Sequence, residues 1–203
     1  MDSLSKTEKL DFLYQNIKNC DRCELSRTRT RLVFGDGNCA SPIVFIGEGP
    51  GQMEDLQGKP FVGRSGQLLS EAIFEVFQWT RENYYITNLV KCRPTVDQQM
   101  KKDRPPDKTE VEQCHHILMM QMEIIKPDII VAVGSSAAKY LLQTEKGITS
   151  IRGTWSNFQN IPLLPIFHPS YVLRNGGRIS SQYRMLVSDL ESVKKHLNKE
   201  GLS

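Results

Sequence analysis

Short, continuous apolar runs alternate along the chain with longer stretches whose apolar residues recur every three or four positions. The runs are Ile43-Val44-Phe45-Ile46-Gly47, Tyr84 to Val90, Ile129 to Val133, and Leu163 to Phe167. Runs this short with no polar alternation predict strands buried on both faces. Within 66–77, Leu68, Leu69, Ala72, Ile73 and Val76 form one helical stripe. Tyr183, Leu186, Val187, Leu190, Val193 and Leu197 form the stripe of a final helix, and Ser135 opens another. Two capping boxes add helix starts. Ser5-Lys6-Thr7-Glu8 precedes Leu10, Leu13 and Ile17, and Thr109-Glu110-Val111-Glu112 opens a helix to about Lys126. Strands alternating with helices predict an α/β fold, a parallel sheet with helices on both faces. One domain over 1–203 is expected.

In such a fold the site lies beyond the carboxyl ends of the strands. Three unusual segments directly follow predicted strands: Gly47 to Asp55, Asn88 to Pro94, and His168-Pro169-Ser170. Charge adds little, because 26 basic against 23 acidic side chains leave a net of +3. That bias toward acidic partners is too weak to assign one. The N-terminus has no apolar core behind a basic start, and no stretch approaches the ~18 apolar residues of a membrane span. A cytosolic protein without membrane association is predicted. In that reducing setting the five cysteines point to metal binding or burial rather than disulfides.

The chemistry of the three segments is specific. Gly47-Glu48-Gly49-Pro50-Gly51-Gln52-Met53-Glu54-Asp55 brings bare backbone close to a ligand and carries three acids. Neither a phosphate-loop Gly-Lys-Ser/Thr nor a dinucleotide G-x-G-x-x-G is present. Phe61, in a Pro/Gly-bounded loop, can stack on a flat ligand or plug the loop from beneath. Asn88 offers a donor and an acceptor, which suits the polar edge of a flat base; Asn is also a common turn former. His168 can donate to charge developing on a leaving group. Arg174-Asn175-Gly176-Gly177-Arg178 reads as a basic loop suited to phosphates. Cys20 and Cys23 form one close pair, with Cys92 and Cys114 far along the chain. Four thiolates suit tetrahedral zinc or a [4Fe–4S] cluster, and the spacing does not choose. Cys39, in a Gly-Asn-Cys-Ala loop, is left out.

Taken in order over roughly residues 20–190, these segments resemble the family 4 uracil-DNA glycosylases, the iron–sulfur class of bacteria and archaea. The matching runs are Phe34-Gly35-Asp36-Gly37-Asn38, Gly47 to Gly51 with Glu54-Asp55, and Pro60-Phe61-Val62-Gly63. They continue with Ile86 to Pro94, Arg152-Gly153-Thr154-Trp155, and His168-Pro169-Ser170-Tyr171-Val172-Leu173-Arg174-Asn175. The resemblance implies a three-layer α/β/α sandwich around a four-stranded parallel sheet. It implies a structural [4Fe–4S] cluster on Cys20, Cys23, Cys92 and Cys114, and a monomer that hydrolyses uracil from DNA without cutting the strand. By the same resemblance Phe61 stacks on the flipped uracil, Asn88 reads its polar edge and His168 bonds its O2. Glu54 rejects thymine at C5, and Glu48 with the Gly49 backbone stands by the water and the sugar. Gly47, Gly51, Ser170 and Arg174 complete the substrate-binding set.

The chain also departs from the family. A Pro-Pro-x-Asn-Arg run after the third cysteine is replaced by Pro94-Thr95-Val96-Asp97-Gln98-Gln99-Met100-Lys101-Lys102-Asp103-Arg104-Pro105-Pro106, and Ser65 stands where alanine is common. No Lys-Arg-Arg-Ile-His insertion occurs, unlike in relatives that trap uracil-DNA covalently, and Gly51 stands where family 5 has alanine. Two alternatives compete with the enzyme: a catalytically idle DNA-binding relative, which should have lost some of Glu48, Phe61, Asn88 and His168, and a zinc-stabilised protein with an unrelated site.

Overall fold

Each apolar run becomes a strand of one sheet in the computed structural model, which describes residues 4–96 and 102–201. In chain order the elements are α1 (Lys6–Ile17), β1 (Asp36–Gly37), β2 (Ile43–Gly47), α2 (Gln52–Gln57), α3 (Arg64–Phe77), β3 (Tyr85–Asn88) and α4 (Lys108–Ile125). They continue with β4 (Ile129–Val133), α5 (Ser135–Leu142), α6 (Ile148–Ile151), β5 (Ser156–Phe158), β6 (Ile161–Ile166), α7 (Pro169–Arg174) and α8 (Ser181–Lys199).

The sheet order is β1-β3-β2-β4-β6-β5. The four central strands β3, β2, β4 and β6 run parallel, as the resemblance implies. The sheet is nevertheless six-stranded, because β1 pairs antiparallel with β3 and β5 antiparallel with β6. These edge strands are two and three residues long, and their partly exposed, polar sequences carry no apolar period to betray them. Along β2 successive side chains alternate between the two faces. Val44 and Ile46 join a core with Leu13 of α1, Leu118 of α4 and Ala138 of α5. Ile43 and Phe45 join the other core, with Leu69 and Ile73 of α3 and Leu186 and Leu190 of α8. The result is the predicted three-layer α/β/α arrangement.

Helix starts show why local chemistry decides boundaries. The Ser5–Glu8 capping box is present at α1. At α4 the cap is Asp107, not Thr109: the Asp107 side chain accepts from the Glu110 N–H and Glu110 returns a bond to the Asp107 N–H. Pro105-Pro106 just upstream cannot donate to a helix ladder, and Asp caps at least as well as Thr, so the helix begins two residues earlier. Part of the atypical segment after Cys92, residues 97–101, lies outside the described residues. From β2 the chain crosses to β3 on one side, and from β4 to β6 on the other, so the connections part between β2 and β4. A doubly wound sheet opens its crevice at such a point. No helix among the described residues is long and apolar enough to cross a membrane.

Candidate active site

A cleft of about 610 Å³ opens at the carboxyl ends of β2, β3, β4 and β6. Its lining includes Glu48, Gly49, Gly51, Glu54, Phe61, Asn88, His168, Ser170 and Arg174. Residues up to 126 positions apart in the sequence therefore meet at one sheet edge, and the backbone ties them there. The Leu89 N–H donates to the Gly47 carbonyl at 2.9 Å, the Val90 N–H to the Glu48 carbonyl at 3.2 Å, and the Gly134 N–H to the Ile166 carbonyl at 3.0 Å.

Phe61 is buried at 8% exposure and adopts the left-handed region at φ 54°. A non-glycine residue there is strained unless its surroundings hold it. Here they do. Glu54 Oε1 accepts from the N–H groups of Val62 (2.9 Å) and Gly63 (2.7 Å), and Arg81 Nη2 donates to the Phe61 carbonyl at 3.1 Å. The ring is thereby set 6.1 Å from that of His168, tilted by 36°. Gly47 makes room for this: a Cβ at that position would stand 2.5 Å from both the Phe61 ring and Asn88 Oδ1.

Asn88 is 1% exposed, and its buried Oδ1 has no hydrogen-bond partner among the described residues. An orphaned amide acceptor is costly, and such groups in native proteins mark a role filled by a ligand. The oxygen lies beside the Phe61 ring, so a flat ligand stacked there meets an acceptor in search of a donor.

His168 caps α7 with its own ring. The Ser170 N–H donates to Nδ1 at 3.2 Å and the Ser170 hydroxyl lies 2.8 Å from it. With Nδ1 accepting, the proton resides on Nε2. Burial, with the Arg174 charge adding to it, pushes the pKa down to about 4, so the ring is neutral at physiological pH. Gly134, at φ 94°, lets this side chain approach, since a Cβ there would meet His168 Cβ at 2.8 Å. The site thus holds a neutral donor, able to share a proton with developing charge without adding one of its own.

Glu48 accepts a hydrogen bond from the Ser136 hydroxyl. That contact bridges the loop after β2 and the start of α5, across the point where the connections part. Ser136 escaped sequence reasoning: a serine after Gly134 reads as an ordinary helix opening, although the position follows a strand as the other three segments do. Arg81 escaped too, because it sits in a short 3-10 turn (Arg81–Asn83) outside any motif. Arg174 lines the cleft as an exposed residue. Arg178 does not join it. It pairs with Glu71 (2.9 Å) and Glu75 (3.4 Å) of α3, so the predicted basic loop contributes one cleft cation rather than two.

The four cysteines Cys20, Cys23, Cys92 and Cys114 line one separate small cavity of about 20 Å³, with Arg29 and Lys91 in its wall. No disulfide joins them, and among the described residues no three His, Cys, Asp or Glu side chains converge on a single-ion geometry. Burial pushes the Cys92 thiol up to about 12, against the pull of Arg29, and likewise raises Cys114 and Cys23. Arg29 donates to Cys92 Sγ at 3.2 Å. Buried thiols facing two cations fit a group that takes them as thiolates. Cys39 lies elsewhere, its Sγ 3.4 Å from Thr7 Oγ1.

The Uracil DNA glycosylase superfamily model matches residues 34–191, a span that contains every cleft residue named above. The chain belongs to that superfamily. It is 41% identical over 201 residues to a type-4 uracil-DNA glycosylase of Thermotoga maritima, covering 97% of this chain and 99% of the relative. The type-4 uracil-DNA glycosylase of Saccharolobus solfataricus is 35% identical, covering 97% and 90%. That of Archaeoglobus fulgidus is 38% identical, covering 82% and 84%. In this uracil-DNA glycosylase fold the cleft gathers the predicted residues except Gly47, which packs against Phe61 and Asn88 outside its lining, and Gly51 is the N-cap of α2. Ser136, Asp103 and Arg104, all outside the prediction, are among the other residues of the cleft wall.

Proposed function

We propose that the protein removes uracil from DNA by hydrolysing its N-glycosidic bond, leaving an abasic site in an uncut strand. The reading is carried by Asn88 Oδ1, buried beside the Phe61 ring with no hydrogen-bond partner among the described residues. A base can reach this buried cleft only after leaving the helical stack. Once there it stacks on Phe61. Asn88 Oδ1 accepts from N3–H and the side-chain NH₂ donates to O4, a pairing that cytosine, lacking the N3–H, cannot make. Glu54 has Oε1 committed to the loop amides, and in this reading its carboxylate guards the space a C5 methyl would need.

As the glycosidic bond breaks, its electron pair moves onto the base and the sugar gains oxocarbenium character. The neutral His168 Nε2–H donates to O2, where the negative charge collects. Glu48, held by Ser136, stands on the sugar side, where a carboxylate stabilises the cation or orients the attacking water. The water oxygen bonds to C1′, and its released proton balances the departing uracil anion. Arg174 anchors a backbone phosphate at the rim.

Cys20, Cys23, Cys92 and Cys114 would hold a [4Fe–4S] cluster whose contribution is to tie the chain after α1, the loop after β3 and the start of α4 together. The thiol cavity with its two cations suits four thiolates, and the resemblance to iron–sulfur glycosylases with the type-4 relatives supports this group over zinc.

The test is single-turnover excision on a uracil-containing oligonucleotide, with wild type against Asn88→Ala and His168→Ala. Both variants should fold normally and lose at least about 100-fold in rate, the scale for removing one transition-state donor. Near-normal rates in both would overturn the site assignment.

A further inference from the structure

Lys91 is among the largest fully buried side chains of the protein, 1% exposed. Its ammonium donates to Thr87 Oγ1 and to the Asn88 carbonyl, each at 2.7 Å. Both acceptors are neutral, and among the described residues no carboxylate pairs with it. A buried cation is strongly unfavourable without a counter-charge. The Cys92 and Cys114 side chains share a cavity wall with it. Lys91 lines the thiol cavity with them, and its backbone N–H faces the Cys114 sulfur. Arg29 stands on the same cavity, donating to Cys92 Sγ at 3.2 Å and to the Cys20 carbonyl at 2.6 Å.

The charges balance once the cavity is filled. Four thiolates around the doubly positive core of an oxidised cubane, or around Zn²⁺, leave two negative charges. Arg29 and Lys91 supply two positive ones. Only Lys91 also reaches the end of β3, where Asn88 lies.

We propose that Lys91 is a counter-ion of the thiolate site and the positioning residue through which that site holds Asn88. With the site filled, the ammonium is drawn toward the thiolates and its two bonds fix the Thr87–Asn88 backbone. With the site empty, the same ammonium is an unpaired buried charge, and the strand end that reads the base loses its clamp. Metal retention and base recognition are therefore coupled, and the coupling acts in both directions.

The inference rests on the thiolate-site reading above, and its test separates the two. The protein as purified is first assayed for iron and zinc; absence of both defeats the thiolate-site reading, and this inference with it. The loaded protein is then challenged with a colorimetric chelator, and the rate of metal release is followed with no addition, with saturating free uracil, and with thymine. Uracil should slow release several-fold in the wild type, and thymine should not. In Lys91→Met, loaded to the same level, release should be about tenfold faster and uracil affinity about tenfold weaker, and uracil should no longer slow release. Lys91→Gln, also neutral, replaces it if Lys91→Met does not fold. A loaded variant that keeps either the wild-type release rate or the wild-type uracil affinity overturns the proposal, as does a wild type whose release ignores uracil.

Discussion

The decisive residues are those whose environment removes their ordinary behaviour. Burial holds His168 at about 4, below the ordinary value of 6.5, so excision should show no loss through pH 6.5 and fail only as the pH nears 4. A rate profile between pH 4 and 8 checks this; a midpoint near 6.5 assigned to His168 by its Ala variant would contradict it. The fold responds in the same window. A base neutral in the folded state and protonated when unfolded stabilises fully above about pH 6.5 and loses that stability as the pH falls toward 4. The loss amounts to about 3 kcal/mol, readable as the difference in urea midpoint between wild type and His168→Gln. His168 and Asn88 were legible in the sequence because each ends or follows a strand in a short, unusual segment, and Phe61 because it stands alone in a Pro/Gly-bounded loop. Ser136 and Lys91 were not. A serine after a glycine looks like a cap, and a lysine looks like surface; only the fold puts one against Glu48 and buries the other.

At the level of elements, the loop carrying Phe61 is a strained turn clamped from two sides, by Glu54 of α2 and by Arg81 of the turn before β3. Arg81→Met removes one clamp at a residue away from the reacting atoms. Excision efficiency should fall about tenfold through weaker uracil binding, the scale of one base–aromatic stack, while the melting temperature moves little. An unchanged apparent affinity would show that Glu54 alone suffices. The α4 cap gives an independent check: Asp107→Ala should cost about 1 kcal/mol, whereas Thr109→Ala should cost much less, as read by chemical denaturation. The four central strands were legible because burial on both faces writes an unbroken apolar run. The edge strands β1 and β5, and the short helix α7 that His168 caps, were not, since two to six residues held by neighbours leave no period of their own.

Across the whole molecule, the sheet edge and the thiol cavity lie at either end of one short path, Asn88 to Cys92. The four cysteines of that cavity come from chain segments that the sheet does not pair. Stripping the bound metal should therefore lower the melting temperature of the wild type, and Cys92→Ser should reduce metal content and solubility together; a variant with full metal content would mean the ligand set is wrong. The small net charge of +3 places little of the DNA affinity in long-range attraction, so Arg174→Ala should lower the salt dependence of binding by about one counter-ion without altering the preference for uracil. The most direct test of the account is incubation of the purified protein with a single-uracil oligonucleotide, with and without subsequent mild alkali. The account predicts free uracil, an intact strand before alkali, and cleavage at the former uracil after it. Alkali cleavage no greater than on a thymine control would contradict it.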